Sequence, residues 1–144
     1  MRTLVVGYGN PLRSDDGVGP AVALRVASRR LPRVKIKIVQ QLNLELVDEM
    51  KDFDQVILVD ACLDGPPVAL RKVAATLQAA MASSHHCGPE MLLSLAAALY
   101  ERPPAVYACA IREESFFIGR ALTPAVRGRA REAAEMIVRF LKEQ

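Results

Sequence analysis

The sequence predicts an α/β layer fold with a mostly parallel sheet, and three observations carry that prediction. Apolar runs of strand length recur at Thr3–Val6 and Gln55–Val59 without polar alternation, which suits strands covered on both faces. Segments of helical spacing alternate with the strand candidates along the chain. With 144 residues and 51% hydrophobic content, the chain is long enough for one core, so a single domain spanning residues 1–144 is expected.

Each element has its own signal. Thr3–Val6 closes at Gly7, and the turn formers Gly7-Tyr8-Gly9-Asn10-Pro11 follow. A helix is expected to start between Asp16 and Gly19, because Pro20 fits only a first turn, and to run to the basic pair Arg29-Arg30. Val34–Val39 alternates apolar and basic residues, the pattern of a strand with one wet face near a sheet edge. Asn43–Met50 reads as a short helix, and Gln55–Asp60 as a strand whose last residue is a carboxylate. Val68–Val73 is a further strand, residues 74–87 a loop with short helical pieces, Met91–Tyr100 a helix and Ala105–Ile111 a strand. Thr123 then stands as N-cap with Pro124 at the first helical position. Val126, Ala130, Ala133, Ala134, Ile137 and Leu141 give the last helix its apolar stripe. Its arginines 127, 129, 131 and 139 read as a solvated face, with Arg131 and Glu135 paired one turn apart.

Composition excludes several classes. High apolar content and a net charge of +3 exclude disorder, and the charge does not demand nucleic acid. No apolar run approaches the length of a membrane span, and the N-terminal run has strand length, not that of a signal peptide. Cys62, Cys87 and Cys109 are three scattered cysteines without a CxxC, which suits a reducing, cytoplasmic setting. Cys62 and Cys87 read as small buried hydrophobes. No nucleic-acid or membrane partner is expected.

Ligands of open parallel sheets bind beyond the carboxyl ends of the strands. Asp15 and Asp16 follow the first strand, Asp60 ends the third, and His85-His86-Cys87 stand in the loop before a later helix. If the first and third strands are neighbours, Asp16 and Asp60 share one crevice. Two carboxylates and an imidazole would then suit a first-row divalent metal. Each residue also has a plainer reading. Asp15 and Asp16 serve equally as helix caps, Asp60 as a turn residue, and the histidines as solvated loop side chains. Gly7-Tyr8-Gly9 is no dinucleotide fingerprint, because Leu12 stands where GxGxxG needs its third glycine. No lysine follows to make a P-loop, and two aspartates would repel a phosphate.

The stretch Gly7-Tyr8-Gly9-Asn10-Pro11-Leu12-Arg13-Ser14-Asp15-Asp16-Gly17-Val18-Gly19 resembles the N-terminal signature of the hydrogenase maturation proteases. Val59-Asp60-Ala61, Ser83-Ser84-His85 and Leu122-Thr123-Pro124 continue the likeness in the same order. The resemblance implies an α/β/α sandwich on a five-stranded sheet. It implies an endopeptidase that trims the C-terminal extension from the nickel-loaded large-subunit precursor of a nickel–iron hydrogenase. It implies metal contacts from Asp16, Asp60 and His85, with His86 the fallback, to nickel carried by the precursor. The metal would polarise the scissile carbonyl or activate water, or else Asp16 or Asp60 would serve as general base with the other holding the metal; Asp15 would be a helix-cap or support residue. A non-proteolytic chaperone that checks nickel insertion is the alternative. Many members carry Asp-Gly-Gly-Thr after the second strand, where this chain has Gln40-Gln41-Leu42-Asn43.

Overall fold

The computed structural model describes residues 1–75, 88–115, 117–119 and 121–144. Five strands form one sheet: β1 (Thr3–Tyr8), β2 (Val34–Val39), β3 (Gln55–Cys62), β4 (Val68–Lys72) and β5 (Ala105–Arg112). Their order is β2-β1-β3-β5-β4. β1 runs parallel to both β2 and β3, and β3 parallel to β5, whereas β4 alone pairs antiparallel, with β5. The helices are α1 (Val18–Ala27), α2 (Glu45–Met50), α3 (Pro89–Leu99) and α4 (Pro124–Lys142). Among the described residues, no helix is long and apolar enough to cross a membrane.

The sheet separates two apolar layers, as strand alternation requires. Leu4, Val6, Val56, Leu58, Val106 and Ala108 pack with α2 and α3 through Leu46, Met50, Leu92 and Ala96. Val5, Ile57, Val59, Cys109 and Ile111 pack on the other face with α1 and α4 through Val18, Val22, Val126 and Ile137. Both faces of β1 and β3 are thus covered, which is why those strands read as continuous apolar runs. β2 lies at the sheet edge, in keeping with its alternation, and its Lys35 and Lys37 both pair with Glu49 of α2.

Several boundaries differ from expectation for local reasons. α1 ends at Ala27, and Arg29 and Arg30 lie beyond it, in a turn closed by their amides donating to Val26 and Ala27 (both 3.1 Å). Ahead of α1, a short 3₁₀ turn at Ser14–Gly17 holds both aspartates outside the α-helix. β3 runs two residues past Asp60, because its register with β5 continues to Cys62 opposite Arg112. α3 starts at Pro89, with that proline in its first turn. The residues 76–87 of the expected loop, including His85, His86 and Cys87, lie outside the described residues.

Three expected side-chain roles are corrected. Glu135 pairs not with Arg131 but with Arg29 across the α1–α4 contact (2.6 Å). Arg129 is no solvated arginine: its side chain is 13% exposed, and it donates to the Arg112 carbonyl and to Glu114 (both 2.7 Å). Cys109 is buried as a small hydrophobe, whereas Cys62 is only half-buried and its thiol meets the Asp64 carbonyl (3.1 Å).

Candidate active site

The glycines of the N-terminal motif are close-approach positions. A Cβ on Gly19 would overlap the Val59 carbonyl oxygen and lie 2.5 Å from that of Tyr8, so only glycine lets α1 start against β1 and β3. Gly9 has φ +143, and a Cβ there would overlap the carbonyl oxygen of Asp16. The loop after β1 therefore folds back onto the 3₁₀ turn. Asn10 fastens it: its side-chain Oδ1 accepts the Leu12 amide (3.0 Å), while its own amide donates to Asp16 Oδ2 (2.8 Å).

Asp15 and Asp16, adjacent in sequence, do opposite things. Asp15 is fully buried, and its carboxylate accepts hydrogen bonds from the amides of Glu114 (2.9 Å), Ser115 (2.8 Å) and Thr123 (2.7 Å) and from the Thr123 hydroxyl. Burial alone would push its carboxyl upward, but these donors outweigh burial and hold it below the ordinary value. Its work is to lock the segment between β5 and α4. Thr123 still starts α4 from an extended backbone, yet its hydroxyl serves Asp15 and makes no cap bond to the helix.

Asp16 is half-buried in the 3₁₀ turn that follows β1, and Asp60 stands near the carboxyl end of the neighbouring β3. Asp60 Oδ1 accepts the amide of Ala61 (2.8 Å). Its carboxyl is pushed up to about 7. Burial is the main cause, and the charges of Asp16 and Glu113 add to it, against the downward pull of the Ala61 amide and of a hydrogen bond with the Tyr8 side chain. The charge of Asp16 thus reaches Asp60 beyond the ends of the neighbouring strands β1 and β3.

Glu113 completes this acidic rim and was not singled out by the sequence. Its amide donates to the Cys62 carbonyl (2.9 Å), placing it just past β5 beside the end of β3. Burial raises its carboxyl, as do the charges of Asp16 and Asp15, with Arg13 acting the other way. Only the sheet order brings residue 113 beside residues 16 and 60. Tyr8 was read as a turn former, yet it ends β1 and bonds Asp60.

Among the described residues, no group of three or more His, Cys, Asp or Glu side chains is arranged to hold a metal ion. The structure brings Asp16 and Asp60 together, and His85 lies outside the described residues.

No protein-family model matches the sequence, and no curated protein matches it. Solved structures do. The hydrogenase maturating endopeptidase HybD from E. coli superposes with a TM-score of 0.77 at 23% identity, covering 99% of this chain and 93% of that one. The nickel–iron hydrogenase maturation protease HycI from Thermococcus kodakarensis gives 0.78 at 23%, over 98% and 92%. A hydrogenase 2 maturation peptidase from a Thaumarchaeota archaeon gives 0.70 at 26%, over 98% of both chains. Along nearly its whole length, the chain has the fold of the hydrogenase maturation endopeptidases.

Proposed function

We propose that this protein is an endopeptidase that removes the C-terminal extension of a hydrogenase large-subunit precursor after nickel has been inserted. The observation that carries the reading is the pairing of Asp16 and Asp60 at the carboxyl ends of adjacent strands, one of them with a carboxyl near neutrality. The fold shared with endopeptidases of hydrogenase maturation supports it.

In this reading nickel belongs to the substrate and arrives with it. Asp16, Asp60 and His85 are the groups that contact it, and its chemistry is to polarise the scissile carbonyl or a water. One of the two acids serves as general base while the other holds the metal; a carboxyl pushed up to about 7 in the metal-free protein suits Asp60 to exchange a proton at neutral pH when Asp16 makes the metal contact. Asp16 holds its carboxylate against the Asn10 amide and faces the same crevice. Asp15 does no chemistry; it keeps the rim in place.

The test is processing of purified precursor, followed by mass spectrometry, with and without nickel. Loss of the C-terminal extension only from the nickel-loaded form is expected. Equal processing of nickel-free precursor would remove the metal gate. A full-length partner after prolonged incubation would favour the chaperone that checks nickel insertion without cutting.

A further inference from the structure

Asp16 and Asp60 belong to different elements, so strand order alone does not fix the spacing of their side chains. Asp60 lies on β3, whereas Asp16 sits in the 3₁₀ turn after β1. Two consecutive amides connect the two elements. Glu113 donates its amide to the carbonyl of Cys62, two residues past Asp60 (2.9 Å). Glu114 donates the next amide to the carboxylate of Asp15, the neighbour of Asp16 (2.9 Å). Residues 113 and 114 form a splint, gripping the strand of one acid with one amide and the turn of the other with the next.

Arg129 holds this splint from α4. Its guanidinium donates to the Arg112 carbonyl and to the Glu114 carboxylate (both 2.7 Å), so the two bonds fall on either side of Glu113. A planar guanidinium serves two such acceptors at once, where an ammonium is a single point charge. The pair with Glu114 alone would contribute little, because the Glu114 side chain is half-exposed. What matters is where the fork is anchored. The same helix begins after Thr123, whose amide and hydroxyl both serve Asp15. One helix therefore holds the turn of Asp16 through Thr123 and the splint through Arg129.

We propose that Arg129 is a positioning residue: by fixing residues 112–114 it sets the separation of the Asp16 and Asp60 carboxyl groups. Its hydrogen bonds go to Arg112 and Glu114 and to neither acid, so it acts only through the splint. The consequence for turnover rests on the proposed function. A chemical step that needs both acids at once depends on their spacing, whereas capture of the substrate does not. Misplacing a reacting group by about 1 Å costs up to roughly a hundredfold in rate. Without Arg129 the splint keeps its two amide bonds, and the loss is correspondingly smaller.

The experiment uses full chains carrying Arg129→Gln, Glu114→Ala or, as control, Arg131→Gln, an exposed arginine of the same helix. The amide resonances of Asn10 and Ala61 are followed by NMR, because these amides donate to Asp16 Oδ2 and Asp60 Oδ1 (both 2.8 Å). Processing of nickel-loaded precursor gives KM and kcat, at a temperature where melting curves show each variant folded. Arg129→Gln should displace the Asn10 resonance and lower kcat about tenfold with KM unchanged. Glu114→Ala removes one half-exposed partner and decides the matter if Arg129→Gln does not fold; about a threefold fall in kcat is expected. Arg131→Gln should change neither. Wild-type resonances in Arg129→Gln and Glu114→Ala overturn the positioning role. So does an unchanged kcat, a rise in KM alone, or an equal displacement in Arg131→Gln. Displaced resonances in a protein whose wild type cuts nothing uphold the positioning role and sink the protease reading instead.

Discussion

The carboxylate of Asp15 accepts the amide of Thr123 at 2.7 Å, across 108 positions of sequence. This bond joins the loop after the first strand to the start of the last helix, and the acidic rim lies between them.

Removing that carboxylate should cost stability. Asp15→Ala leaves the buried amides of Glu114, Ser115 and Thr123 without an acceptor, an expected loss of about 3 kcal/mol in urea unfolding near neutral pH. Because the folded-state carboxyl lies below its ordinary 3.8, its contribution is present above that value and lost as pH falls through the lowered one. Wild type should therefore lose its advantage over Asp15→Asn in acid. An advantage that persists undiminished at the lowest pH would contradict this assignment.

Asp60 predicts the opposite pH trend. Its carboxyl is raised from 3.8 to about 7, so the folded state holds the proton more tightly than the unfolded chain. Metal-free wild type should lose stability as pH rises through that window, and Asp60→Asn should abolish the slope. The variant is expected to be more stable than wild type by about 1–2 kcal/mol above neutrality, allowing for solvent screening, while processing stops. Thermal melts across pH check the first part and precursor cleavage the second.

Asp16→Ala should separate activity from folding. The carboxylate accepts one loop amide, from Asn10, so about 1 kcal/mol of stability is at stake. Loss of precursor processing with a near-wild-type melting curve is the expected result. Retained processing would take Asp16 out of the machinery.

Gly19→Ala tests the seat of α1. The new methyl meets the carbonyls of Val59 and Tyr8, both backbone, so neither yields without shifting a strand. A loss of about 2–3 kcal/mol is expected in denaturant titration, with the acidic crevice displaced along with the helix.

The sequence made the outer form of the fold legible where burial imposes a pattern. β1 and β3 are covered on both faces and read as unbroken apolar runs, and β2 announced its edge through Lys35 and Lys37. That β4 runs antiparallel was not legible, because a short strand's own pattern carries no direction. In the candidate site, Asp16 and Asp60 were singled out by their places after two strands and by the Gly-x-Gly-Asn stretch, on the condition that those strands are neighbours, which β1 and β3 are. The different fates of Asp15 and Asp16 were implied by the family resemblance alone; their own pattern could not give them, because they depend on donors from residues 114, 115 and 123 reaching one of the pair. Glu113 escaped notice for the same reason: its neighbours are chosen by strand order. Arg129 and Glu135 likewise took partners from other elements, where helical spacing had pointed along their own.

β4 leaves the ribosome before β5, yet in the sheet it has β5 as its partner, and β5 sits between it and β3. Until some thirty further residues have been synthesised, its backbone amides have no ladder to join. The later strand must then slot between two earlier ones. A nascent chain halted before residue 105 would carry Asp16 and Asp60 but neither Glu113 nor the segment that Asp15 clamps. Assembly of the acidic rim is thereby deferred until β5 and the segment after it have been made.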